Sequence, residues 1–168
     1  KRIMLGTGVL SLPYHHPLMV ANRMVLLDHL TRGRVMMGVG PGALVSDAYM
    51  LGIDPPTQRP RTEEALGVIM RLLTEEGPVT HESDWFTLKD AMLHLRPYTQ
   101  PHFPIAVAAS QSPSGMVLAG KHGFGVLSVS ALRSGSVVHK LDAFWKIAEE
   151  TATEHGKTVR REEWRLVI

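Results

Sequence analysis

The 168-residue sequence predicts an α/β fold built on parallel strands. Three observations predict it. VMMGVG at 35–40 is a continuous apolar run of the kind buried on both faces, IAVAA at 105–109 reads as a buried strand and GVLSVS at 125–130 as a further strand. Between them lie stretches whose apolar residues recur at helical spacing. Glycine and proline punctuate the joins. Strand and helix in alternation build a parallel sheet through right-handed crossovers.

Taken in order, residues 2–10 (RIMLGTGVL) predict a buried strand. Ser11–Pro17 predicts a turn. Pro17 suits a first helical position, because its missing N–H would be unpaired there anyway. Leu18, Ala21, Met24, Val25, Leu27, Asp28 and Leu30 follow helical spacing, and Thr31-Arg32-Gly33 carries a glycine stop signal. Arg34–Gly40 predicts the second strand. A loop through Pro41, Gly42 and Asp54-Pro55-Pro56 is expected next. A helix should then run from about Pro60 to Leu73, with Glu63 and Glu64 in its first turn, where the helix dipole favours acids.

Residues 74–104 break the alternation. Trp85-Phe86-Thr87-Leu88 and Ala91–Leu95, with turn residues around them, predict an insertion or hairpin that closes through Pro97, Pro101 and Pro104. Ile105–Ala109 predicts the third strand. Ser110–Ser114 is expected to cap a short helix reaching about His122. Gly125–Ser130 predicts the fourth strand. Ser136–His155 predicts a long amphipathic helix with Leu141, Phe144, Trp145, Ile147 and Ala148 inward, and Trp164–Ile168 starts a fifth strand. No repeat and no long linker interrupts the chain, so residues 1–168 are expected to form one domain, with 74–104 an insertion within it. Pattern alone fits either an open doubly wound sheet or part of a (β/α)8 barrel. No G-x-G-x-x-G turn follows the first strand, which argues against a dinucleotide site.

Composition narrows the function. Apolar residues make up 44% and charged residues 20%, as in a soluble globular protein. The formal charge is only +2 and no basic run occurs, so nucleic-acid binding gains no support. Cysteine is absent, which excludes disulfides, thiolate nucleophiles and Cys-ligated metals. Nine methionines suit an adaptable apolar interior; core filling is the preferred reading, an apolar pocket the alternative. No apolar run reaches membrane-spanning length and no signal peptide opens the chain, so a cytoplasmic location is expected. His15 and His16 are adjacent on a turn with no acidic or histidine partner at ligand spacing, so they predict helix-start packing and no metal site.

Four segments carry a family resemblance. LGTGVLSLPYHHPLMVANRMVLLDHLTRGRVMMGVGPG, with its HP helix start and LDHLTRGR helix exit, resembles the third strand, third helix and fourth strand of the bacterial luciferase-like flavin monooxygenases. DAYMLGID and QRPRTEE resemble the loop and helix that follow, and PIAVAASQSPSGMVLAGKHG is similar to the fifth strand and helix, nearest to the limonene monooxygenase-like branch. The resemblance implies a TIM barrel of the luciferase-like type, here an incomplete barrel of about five βα units with an insertion. A partial barrel leaves strand edges open to pairing, which predicts a homo-oligomer.

The resemblance also implies an oxidoreductase, a flavoprotein using reduced FMN and O2 to oxidise a small apolar substrate, with a separate flavin reductase as partner. The alternatives are an F420-dependent hydride-transfer enzyme on the same fold and a non-catalytic barrel remnant that associates through its edges. Arg59 matches the family's phosphate-binding arginine, against a solvated helix-start Arg as the bland reading. Ser110 matches a phosphate-binding serine, with Gln111 and Ser112 adding N–H donors; an ordinary helix cap is the alternative. Gly8–Val9 matches a strand position that carries a non-proline cis peptide beside the flavin ring; a glycine packed against a neighbouring strand is the other reading. Gly40 permits close approach of backbone to a ring, while Pro41 stands where some relatives have a second arginine. Asp47 matches an acidic position that orients substrate, or it caps a helix. The family's catalytic histidine has no counterpart here, and no catalytic base is named.

Overall fold

The computed structural model describes residues 2–109, 112–129 and 141–167. The chain divides into two compact units. Residues 1–6, 10–37 and 41–103 form the first, and 7–9, 38–40 and 104–168 the second.

In the first unit the expected strand over 2–10 is only β1 (Leu5–Gly6) and β2 (Leu10–Ser11). β1 pairs in parallel with the start of β3 (Val35–Gly40), Leu5 opposite Val35 and Gly6 opposite Met36. Residues 2–6 are exposed, not buried, because β1 ends the sheet and has a neighbour on one side only among the described residues. After a 3-10 turn at Leu12–Tyr14, α1 (Pro17–Thr31) opens on Pro17, with His16 at its N-cap. The face it buries is Pro17, Val20, Ala21, Met24, Val25, Asp28 and Thr31, whereas Leu27 and Leu30 are exposed. Ala21, Met24, Val25 and Asp28 are on the buried face as the spacing suggests; the helix is apolar on most sides, so spacing alone also took in Leu27 and Leu30. Its exit is left-handed at both Arg32 (φ 54°) and Gly33 (φ 76°). Asp28 is fully buried, and its carboxyl oxygens accept the N–H (2.8 Å) and hydroxyl (2.9 Å) of Thr99. That pair pins the proline-rich segment to α1.

The expected loop after β3 contains a further helix, α2 (Val45–Met50). Then α3 (Gln58–Thr74) starts two residues earlier than expected, straight out of a 3-10 turn at Pro55–Thr57. It buries Ala65, Leu66, Val68, Ile69, Leu72 and Leu73, which anchor it in the core. The earlier start moves Glu63 and Glu64 out of the first turn, which holds no acid.

Glu64 serves the hairpin instead. β4 (Val79–Glu82) and β5 (Thr87–Ala91) pair antiparallel, with Val79 opposite Ala91 and a register shift before His81; only Ala91 of 91–95 is in the strand. The Glu64 carboxylate accepts from His81 Nε2 (2.9 Å), Ser83 Oγ (3.0 Å) and Trp85 Nε1 (2.7 Å). A carboxylate only accepts, so Nε2 of His81 carries the proton. Partial burial pushes the Glu64 carboxyl up, but these hydrogen bonds and the His81 charge outweigh it and hold the group below its ordinary value. Phe86 packs under the cluster, stacked on His81 and edge-on to Trp85.

In the second unit, β6 (Ile105–Ala108) lies beside β3, and β7 (Gly125–Val129) pairs in parallel with both β6 and β8 (Trp164–Val167). Ala106 faces Gly125 and Val126 faces Trp164. α4 (Ser114–His122) follows β6, and α5 (Leu141–Glu154) packs on α4. Among the described residues no serine caps α4; its N-cap is Pro113, and Ser112 Oγ bonds Ser114 Oγ at 2.9 Å. Gly120 sets the spacing of the helix pair, because a Cβ there would come within 2.6 Å of the Ala148 carbonyl oxygen. α5 turns Trp145, Ala148, Thr151 and Ala152 fully inward, while Leu141, Phe144 and Ile147 are half-buried. Trp145 stacks on Trp164, whose indole donates to the buried Ser128 hydroxyl at 3.0 Å, and that hydroxyl donates to the Ala109 carbonyl. The parts of the expected elements at Ser130, 136–140 and Ile168 lie outside the described residues.

Candidate functional site

In the second unit the Gly8–Val9 peptide bond is cis. The chain leaves the ladder here, and a side chain takes over its bonding. Thr7 Oγ1 donates to the Gly38 carbonyl (2.8 Å) and accepts the Gly38 N–H (2.9 Å), satisfying both backbone groups of one strand residue. Gly38 is required, since a Cβ would lie 2.2 Å from the Thr7 carbonyl oxygen. At the end of β3, a Cβ on Gly40 would approach Val9 Cγ2 to 3.0 Å and Ala108 Cβ to 3.1 Å. Val9, Gly40 and Ala108 are thus brought together, with Gly40 and Ala108 each the last residue of a parallel strand. Barrel enzymes gather their sites at that end. Gly8 faces open space; a Cβ built on it would meet nothing within 4 Å. Ser112 is half-buried just before α4, while Ser110 and Gln111 lie outside the described residues.

In the first unit Arg59 does not precede its helix. It is the second residue of α3, exposed, in the turn whose N–H groups have no intrahelical acceptor. Pro60 follows and offers no N–H. Asp47 sits in the first turn of α2 but is not its cap: Leu44 holds that position, and the Asp47 backbone N–H bonds the Leu44 carbonyl. Pro41 contributes its carbonyl, which accepts from Gln58 Nε2 at 2.8 Å.

Sequence reading missed Gln58, Tyr14 and Thr7. Gln58 begins α3 with its side chain buried, and its amide also donates to Tyr14 Oη at 2.8 Å. Gly42 gives a signal for this arrangement. It adopts φ +90°, and a Cβ there would sit 2.4 Å from Tyr14 Oη and 2.7 Å from Gln58 Nε2. Thr7 gives none, as a threonine between two glycines reads as an ordinary strand residue. Among the described residues no group of three or more His, Asp or Glu side chains is placed to hold a metal, and no helix is long and apolar enough to cross a membrane.

Comparison with known proteins places this geometry in a family. The luciferase-like monooxygenase profile matches residues 1–160. The chain is 53% identical, over all of its length, to 46% of 4-hydroxyprotoasukamycin monooxygenase from Streptomyces nodosus subsp. asukaensis. It is 55% identical, over 99% of its length, to 42% of limonene 1,2-monooxygenase from Rhodococcus erythropolis. The chain therefore spans less than half the length of these curated relatives. Among solved structures, the oxygenating constituent of 3,6-diketocamphane monooxygenase from Pseudomonas putida, in complex with FMN, superposes with a TM-score of 0.80 at 26% identity, covering 99% of this chain and 48% of that one. An F420-dependent secondary alcohol dehydrogenase, in complex with an F420-acetone adduct, superposes at 0.78 and 26% identity, again over 99% and 48%. These neighbours set the parallel strands and helices as part of a TIM barrel. The chain belongs to the luciferase-like monooxygenase family.

Proposed function

We propose that this chain contributes the cofactor-binding part of a flavin-dependent monooxygenase that oxidises a small apolar organic substrate with O2 and reduced FMN. Identity above one half, over the whole chain, to two proteins named as monooxygenases carries the reading. The name of one of them, a limonene monooxygenase, supports an apolar substrate.

The residues suit such a cofactor. Gly8 leaves open space beside the Gly8–Val9 peptide, and Gly40 keeps the neighbouring strand end low, so a flat ring can rest on backbone there. Arg59 offers a bidentate cation to a phosphate near the start of α3. Ser110, Gln111 and Ser112 supply further donors ahead of α4. Asp47 orients the substrate. When bound, the reduced cofactor supplies two electrons and two protons, so that one oxygen atom enters the substrate and the other leaves as water. The protein's task is to hold these groups in place and exclude water. A separate reductase supplies the reduced flavin, and the protein works in the cytoplasm as a homo-oligomer.

The likeness to an F420-dependent dehydrogenase supports a second reading, hydride transfer to or from F420 without O2. Anaerobic titration of the protein with FMN, reduced FMN and F420, repeated on Arg59→Ala, separates the two. Saturable FMN binding that weakens about tenfold or more in the variant is expected. Preference for F420 over FMN moves the assignment to the second reading. Binding of neither cofactor rejects both.

A further inference from the structure

We infer that Gln58 is a positioning residue for phosphate recognition: its buried amide ties the Pro41–Gly42 loop and Tyr14 to the first turn of α3, and so sets where Arg59 stands. The inference rests on the reading of Arg59 as a phosphate ligand.

Gln58 is only 7% exposed although it begins a helix. Its Nε2 lies 2.8 Å from the Pro41 carbonyl and 2.8 Å from Tyr14 Oη. The carbonyl can only accept, which fixes the amide with its NH2 group toward the loop. Both amide protons are then used. Proline has no N–H, so its carbonyl is the one backbone group through which Pro41 can be gripped. Gly42 follows at φ +90°, so close to the amide and the phenol that a methyl group would collide with both. Three segments therefore meet at one side chain: the 3-10 turn at Leu12–Tyr14, the loop after β3, and the start of α3.

The next residue is Arg59. Any shift or rotation of the first turn carries the guanidinium and the helix N–H groups with it. An apolar side chain at 58 would leave the Pro41 carbonyl and the Tyr14 hydroxyl without this partner, and the turn would move to let water reach them. The consequence should fall more on the phosphate than on the ring, because the amide's two bonds go to Pro41 and Tyr14 and neither to Gly8–Val9 nor to Gly40.

The experiment compares FMN with riboflavin, which has the same ring and no phosphate, on the parent, Gln58→Leu, Tyr14→Phe and the Gln58→Leu/Arg59→Ala double variant. Gln58→Leu should weaken FMN binding about fivefold to tenfold and riboflavin binding less than about twofold. Tyr14→Phe, which removes one of the two bonds, should act in the same direction and less strongly, and it decides the matter if Gln58→Leu does not fold. The double variant should lose no more phosphate preference than Arg59→Ala alone. A parent that prefers FMN, with variants that weaken both ligands equally or neither, overturns the positioning role and leaves Arg59 standing. A parent that does not distinguish FMN from riboflavin overturns the phosphate reading and the positioning role together.

Discussion

Trp85 donates its indole N–H to Glu64 across 2.7 Å, joining the turn of the hairpin to the second turn of α3. The same carboxylate holds His81 and Ser83, so three donors from one hairpin converge on one helix side chain. An acid that looks from its spacing like a helix-dipole residue is the hairpin's anchor.

Replacing that anchor should loosen the hairpin. Glu64→Gln keeps the shape but replaces one of the two accepting oxygens by an NH2 group, which cannot accept from the donor-only Trp85 indole or from the His81 N–H. The expected loss is roughly 1–3 kcal/mol at neutral pH, read from urea unfolding. An unchanged midpoint would mean that the three bonds contribute nothing net.

Acid should abolish the difference between Glu64→Gln and the parent. The native Glu64 carboxyl lies below its ordinary value of 4.5. A group depressed in the folded state stabilises above the unfolded value and loses that contribution as pH falls through the folded one. The gap between parent and variant should therefore be full at neutral pH and shrink progressively below pH 4.5. Parallel urea curves at neutral and acidic pH check this, and a gap that widens in acid would reverse the sign assigned here.

Two glycine substitutions should act in opposite directions. Gly67 lies inside α3, and a Cβ there meets nothing within 4 Å, so Gly67→Ala should stabilise by about 0.5–1 kcal/mol through helix propensity. Gly120→Ala forces a methyl to within 2.6 Å of the Ala148 oxygen and 2.8 Å of Thr151 Cβ and should cost about 1–3 kcal/mol. Melting temperatures of the pair give the comparison; equal shifts would contradict the close contact of α4 and α5.

Thr7 offers a cleaner test of hydrogen bonding. Thr7→Val keeps the volume but removes both bonds to Gly38, and a loss of about 1–3 kcal/mol is expected. Thr7→Ser retains the hydroxyl and should recover most of it. Amide exchange at Gly38 should speed up in the valine variant alone.

Elements governed by period were legible in the sequence. β3 and β6 are continuous apolar runs, β7 is one broken only by Ser128, and Pro17 marks the first residue of α1. The misses have separate physical causes. α2 is six residues long, and Val45, Tyr49 and Met50 are exposed, so no amphipathic pattern marks it. In α1 apolar residues surround the helix, and only the fold decides that Val20 is buried and Leu30 is not. The start of α3 was obscured because Gln58 and Arg59 precede a proline that resembles a helix opening. At the candidate site, the cis bond at Gly8–Val9 was legible only through family resemblance, since neither residue type signals it. The Gln58 amide was illegible, because its partners are 17 and 44 residues away and one of them is a backbone carbonyl.

Asp28 and Thr99 are 71 residues apart in the chain, yet neither oxygen of the buried Asp28 carboxyl receives its Thr99 donor until both segments are present. At roughly 5–20 residues per second, a ribosome needs on the order of 4–14 seconds to make the intervening stretch. During that interval the nascent α1 carries a carboxylate with no reason to leave water. Burial of Asp28 with both oxygens hydrogen-bonded to Thr99 therefore waits for the proline-rich segment to emerge.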